Sequence, residues 1–293
     1  ARLLGPQHVV TVCTDDYHRY NRRQRKELGI SALHPDCNYM DIMEQHLRLL
    51  RQNEPILKPI YNHSTGDFDP PEYIQPAPFV IVEGLLALST PALRNNFDVK
   101  VYLDPPEELR YKWKIKRDTA KRGYTEDQVL EALRKREPDS AEFIRPQKSY
   151  ADIVVRFYPP EDHAEETGSH LNVNLILRST LAHPDMSDIL AAQNGANPPV
   201  RLDIRRDSGR LAEIVDIAGS INSETAARLE SIIWRHLKDD LPLLGELASG
   251  QVGRFVDGTV EQHSHPLALT QLLITYHLIA GKARIRRELN VTR

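Results

Sequence analysis

His8-Val9-Val10-Thr11-Val12-Cys13-Thr14-Asp15-Asp16 is a β-branched run with Gly5 and Pro6 before it and two carboxylates after it. Such a run reads as a buried strand that delivers acids at its C-terminal end. The pattern returns twice: Phe79-Val80-Ile81-Val82 runs into Glu83 and Gly84, and Val99-Lys100-Val101-Tyr102-Leu103 runs into Asp104. Three apolar strands, each ending on an acid and separated by helical segments, give the β-α-β rhythm of an α/β fold with a mostly parallel sheet flanked by helices. In open sheets of this kind ligands bind outside the carboxyl ends of the strands, which is where these acids stand.

Outward from the first strand, Tyr17 to Lys26 reads as a polar, arginine-rich loop. Met43, Leu47 and Leu50 fall at i, i+4 and i+7, so Tyr39 to Leu50 is one amphipathic helix. Pro55, Pro59, Pro70, Pro71, Pro76 and Pro78 predict loop and short edge pieces up to the second strand. A helix from Pro106 to about Lys121 stops at Gly123, and Thr125 with Gln128 makes a capping box for the next one. Ile153-Val154-Val155 is a further strand. Beyond Pro159-Pro160 the texture changes to alternating strands around Leu171 to Leu175, Leu202 and Ile204, with hairpin turns at Asp207-Ser208-Gly209 and Asp257-Gly258. Two helices follow, Glu224 to Leu237 and Pro266 to a stop at Gly281. The expected organisation is a core over 1–158 and an antiparallel α+β extension over 159–293.

The composition is that of a globular chain: 293 residues, 40% hydrophobic, 27% charged, net charge −3. Thirty-eight basic against 41 acidic residues give no global basic field, so nucleic-acid binding is not implied and an anion site must be a local cluster. No run of eighteen apolar residues suggests a membrane span. Two cysteines, Cys13 and Cys37, are too few for a disulfide framework or a cysteine zinc site, and a reducing compartment is the default.

Four segments can carry chemistry. Asp15 to Arg22 combines two acids with His18 and arginines, although it also reads as an acidic loop balanced by its own arginines. Glu83 at a strand end suits Mg²⁺, directly or through water, or a helix N-terminal position. Lys114, Arg117, Asp118 and Lys121 share one helix face, which fits a phosphate-rich site or a solvated surface. Tyr61 and His63 stand in a proline-stiffened loop beginning at Lys58.

Taken in order, DDYHRYNRRQRKE (15–27), KPIYNHSTGDFDPPE (58–72), VIVEGL (80–85), WKIKRDTAKRG (113–123) and RPQKSYAD (145–152) resemble the phosphoribulokinase family, with uridine kinases as looser relatives. The resemblance runs from about residue 8 to about 158, and the combination is far more specific than any one piece. The sub-type suggested by Asp15-Asp16-Tyr17-His18, Arg25-Lys26-Glu27 and Tyr61-Asn62-His63 is that of cyanobacteria, algae and plants. The resemblance implies a P-loop-kinase-type fold, ATP with Mg²⁺ as donor, ribulose 5-phosphate as acceptor, a homo-oligomer, and a location in the cytoplasm or, in a photosynthetic eukaryote, the chloroplast stroma. Residue by residue it makes Asp15 the base that takes the proton of the sugar 1-hydroxyl. His18, Arg22, Tyr61, His63, Arg117 and Arg122 become substrate-binding residues, and Lys114, Arg117 and Arg122 cations at the nucleotide phosphates. Asp118 and Lys114 join Asp15 as catalytic groups, and Glu83, Asp118 and Asp15 become the metal carboxylates.

Two departures accompany it. The family's opening strand and its G-x-x-x-x-G-K-[ST] loop have no counterpart in this sequence, whose first strand aligns with the family's second. The expectation is that roughly 25–35 residues of strand, loop and helix are missing before Ala1. These residues alone should then show no turnover, and the strand from His8 to Cys13 should show an open edge. Cys13 matches one half of a redox-controlled pair whose other half lies in the absent loop, which favours a buried structural thiol. The rival readings are a uridine kinase-like nucleoside kinase and a non-catalytic relative that has lost ATP binding.

Overall fold

Val12 is wholly buried in the middle of β1 (Val9–Cys13), the strand read from the sequence. The computed structural model describes residues 3–193, 197–239, 252–258 and 260–291, with backbone alone for 121, 122, 238, 239 and 282–291. They fall into two compact units, Ala1–Lys100 with Glu131–Tyr150 and Val101–Leu130 with Ala151–Arg293.

In the first unit β1 is followed by a short 3₁₀ turn over Thr14–Tyr17 and by α1 (Arg22–Leu28). Next come α2 (Met40–Arg51), β2 (Ile56–Asn62), β3 (Asp67–Ile74), β4 (Phe79–Glu83) and α3 (Pro91–Arg94). β1 and β4 run parallel, from Val9 opposite Phe79 to Cys13 opposite Glu83, and no other strand joins them among the described residues. Met43, Leu47 and Leu50 are buried as the periodicity requires, in one core with Val12, Ile56 and Leu93.

Two segments differ from the sequence reading. The arginine-rich stretch contains a helix, α1, because Asn21 and Gln24 close a reciprocal capping box (2.9 Å each way) and Gly29 takes the left-handed conformation at its end. The proline-rich stretch is a two-stranded antiparallel hairpin, β2 with β3. Its register slips between Lys58 and Ile60, so Pro59, Pro70 and Pro71 fall where the ladder is interrupted and the missing N–H groups cost nothing.

The second unit holds β5 (Val101–Leu103), α4 (Glu107–Arg122), the start of α5 (Glu126–Asp139) and β6 (Ile153–Tyr158). They are followed by β7 (Asn172–Arg178), α6 (Ser187–Ala191), β8 (Val200–Asp207), β9 (Arg210–Ile217) and α7 (Ser223–Asp239). β10 (Arg254–Asp257), β11 (Val260–His263) and α8 (His265–Val291) complete it. β5 pairs in parallel with β6 in a five-stranded sheet of order β5-β6-β7-β9-β8, the rest of which is antiparallel. The third acid-ending strand therefore belongs to this mixed sheet and not to the β1–β4 pair. The hairpin turn at Ser208-Gly209 has both residues at positive φ, 51° and 79°, as a two-residue turn of this hand demands. The capping box at Thr125 and Gln128 is present, at 3.0 and 3.3 Å. α8 starts where Pro266 placed it but continues through Gly281 to Val291. Among the described residues no helix is long and apolar enough to cross a membrane.

Candidate active site

The parallel register sets the carboxyl ends of β1 and β4 side by side, with Cys13 beside Glu83 and Asp15 in the turn that follows. Gly84 passes this turn so closely, at φ 136°, that a Cβ there would lie 1.8 Å from the Thr14 hydroxyl oxygen. The half-buried Cys13 thiol is pushed up to about 12 by burial, by its hydrogen bond to Glu83 and by the charges of Glu83 and Asp15. It is a neutral group beside two carboxylates, the opposite of the environment that makes a reactive thiolate. Glu83 is exposed and the Asp15 side chain is 39% exposed, so both can reach a ligand. Among the described residues no group of three or more His, Cys, Asp or Glu could hold a metal ion. Two carboxylates at neighbouring strand ends nevertheless suit Mg²⁺, which commonly takes one or two carboxylates and completes its shell with water and phosphate oxygens.

A polar and aromatic cluster stands against Asp15 in the same unit. His18 is buried (3% exposed) and its Nδ1 lies 2.7 Å from Asn38 Oδ1. Asn38 spends its amide hydrogens on the carbonyls of Ala32 and His34, which leaves its oxygen as the acceptor and makes His18 Nδ1 the donor. Burial holds the His18 imidazole below its ordinary pKa, so at neutral pH Nε2 is an acceptor. The Tyr61 ring packs edge-on to His18 (4.8 Å between centroids) and to His63 (5.0 Å), and His63 Nε2 lies 3.7 Å from Asp15 Oδ2. Arg25 donates to the Tyr61 hydroxyl at 2.6 Å and to the Tyr20 carbonyl at 3.1 Å. Arg22 donates to the His63 carbonyl, which ties α1 to the tip of the β2–β3 hairpin. The structure thus brings together Asp15, His18, Arg22, Tyr61 and His63. Arg25 and Asn38 complete the cluster. Neither follows from the spacing of the acids, although Arg25 is one helical turn from Arg22 once α1 is recognised.

In the second unit, Asp118 on α4 is buried (4% exposed) between two cations, with Arg117 Nε at 2.9 Å and Lys114 Nζ at 3.1 Å. Burial pushes its carboxyl up, but the hydrogen bonds and charges of Arg117 and Lys114 more than offset this and hold it below the usual range. Lys114, Arg117 and Asp118 of the helix face read from the sequence therefore form an ion-paired cluster with a buried acid at its centre. The Lys121 and Arg122 side chains lie outside the described residues.

The model of the phosphoribulokinase / uridine kinase family matches residues 5–164. A phosphoribulokinase of Synechocystis sp. is 40% identical over 174 residues, which cover 59% of this chain and 52% of that protein. A chloroplastic phosphoribulokinase of Triticum aestivum is 40% identical over 58% of this chain and 42% of its own length. The chain thus spans about half the length of these curated relatives. A uridine kinase of Oceanobacillus iheyensis is 32% identical over half of this chain and 72% of that protein. The solved structure of a phosphoribulokinase from Rhodobacter spheroides shares the fold, with a TM-score of 0.57 at 20% identity over 79% of this chain and 86% of that one. With a family model matched over more than half its length, this chain belongs to the phosphoribulokinase / uridine kinase family.

Proposed function

We propose that the chain carries the acceptor site and catalytic acids of a phosphoribulokinase, which transfers the γ-phosphate of ATP to the 1-hydroxyl of ribulose 5-phosphate and gives ribulose 1,5-bisphosphate. The observation that carries this reading is the cluster around Asp15, where a carboxylate meets two imidazoles, a tyrosine and two arginines at the end of β1. A sugar phosphate needs that mixture: hydrogen-bonding groups for its hydroxyls, cations for its phosphate, and one base.

In this reading Asp15 accepts the proton of the attacking hydroxyl. His18, Tyr61 and His63 orient the sugar, and Arg22 binds its phosphate. Lys114, Arg117 and Arg122 serve the phosphates of ATP, with Asp118 holding Lys114 and Arg117 in place through its two carboxylate oxygens. Mg²⁺ bound with ATP would supply charge neutralisation at the phosphoryl oxygens, and Asp15 and Glu83, at the neighbouring ends of β1 and β4, are its proposed carboxylates. Positioning and charge do the work in such a transfer, with no covalent intermediate on the protein. The same reading assigns 1–158 to the kinase core and carries with it a homo-oligomer in the cytoplasm or stroma.

Acceptor choice tests it. Calorimetric titration of the chain with ribulose 5-phosphate should show saturable binding, and titration with uridine should show none. Binding of uridine without binding of ribulose 5-phosphate would make the site that of a nucleoside kinase.

A further inference from the structure

The acid next to the proposed base has a different job. Asp16 pairs with Lys58 on β2, and this lysine is only 4% exposed. The other Asp16 oxygen accepts the backbone N–H of Tyr61 at 3.0 Å, and the Lys58 ammonium also donates to the Pro59 carbonyl at 3.3 Å. These contacts bracket the place where the β2–β3 register slips, between Lys58 and Ile60. A buried ion pair is costly unless both charges are kept in tight geometry, and removing one partner leaves the other uncompensated. It is therefore a rigid joint between two segments that sequence places more than forty positions apart. On one side of the joint is the turn that bears Asp15 and His18. On the other is the strand that bears Tyr61, followed by His63.

We propose that Asp16 and Lys58 are positioning residues, a clamp that holds the Tyr61–His63 strand against the Asp15–His18 turn so that the acceptor site is formed before ligand arrives. The proposal rests on the acceptor-site reading above and adds residues to it that touch no substrate. Its geometric content is specific. Without the clamp the bulge at Pro59 is free to shift, and the ring contacts of Tyr61 with His18 and His63 go with it.

The test uses the full chain and four proteins: wild type, Lys58→Met, Lys58→Arg and, as a control, Met43→Ala in the fully buried core of the same unit. Two quantities are read well below every melting midpoint: nuclear Overhauser contacts from the Tyr61 ring to His18 and His63, and the affinity for ribulose 5-phosphate. Lys58→Met should lose the ring contacts and weaken binding about tenfold or more, whereas Lys58→Arg should stay within about threefold of wild type. Met43→Ala should lower the midpoint and leave both quantities unchanged. Retention of contacts and affinity in Lys58→Met would overturn the clamp, as would an equal loss in Met43→Ala. If Lys58→Met does not fold, Asp16→Asn replaces it, since the amide keeps an acceptor for the Tyr61 N–H while losing the charge. If wild type itself binds no ribulose 5-phosphate, the acceptor reading fails, and the ring contacts alone judge the clamp: their loss in the variant upholds it and their persistence overturns it.

Discussion

Asp118 shows how a charged residue is kept inside a helix face. Its carboxylate is nearly out of water, yet the two cations one turn and one residue away hold it ionised. Because its folded-state pKa lies below the usual Asp value of about 3.9, its contribution to stability is complete above that value and disappears as the pH falls through the depressed one. Asp118→Asn should cost about 2 kcal/mol at pH 7, the scale of hydrogen bonds to a charged group. Chemical unfolding of both proteins across pH 7 to 2 checks this: the gap should narrow only below about pH 4. A gap that is constant with pH would assign the cost to packing. Gly84 belongs to the same scale. Neither the apolar run before it nor the acid beside it says that Thr14 blocks a side chain there, because that approach exists only once β1 and β4 are paired.

Among the elements, those with a strong period were legible and those without one were not. α2 announces itself through Met43, Leu47 and Leu50, and β1 and β4 through their β-branched runs. α1 has no buried residue to give it a period, so its run of charges reads as loop. Its signals were terminal ones, Asn21 three residues before Gln24 and Gly29 at the far end. The β2–β3 hairpin hid behind its prolines, which argue against a strand unless a break in the ladder removes the need for their N–H groups. The site shared this fate: Asp15, Glu83 and Asp118 were legible as acids at strand ends or on a helix face, whereas Arg25 and Lys58 depend on α1 and β2. If the cap sustains α1, Asn21→Ala should destabilise the chain by about 1 kcal/mol, measurable by chemical unfolding. It should also raise hydrogen exchange in α1 ahead of the rest of the unit. Unchanged exchange in α1 would show that its contacts through Arg22 and Arg25, and not its cap, sustain it.

At the scale of the whole chain, the family match ends at residue 164, ahead of β7, β8, β9, α7 and α8. The carboxylates and cations proposed to act in phosphoryl transfer all lie before that point. The central claim is that Asp15 is the base for transfer to a sugar hydroxyl, and steady-state kinetics of Asp15→Asn in the full-length protein test it most directly. The substitution removes basicity and little volume, so kcat with ribulose 5-phosphate should fall by about 10²–10⁴-fold while the KM for ATP stays nearly constant. A variant that keeps a tenth of the wild-type rate would contradict the account.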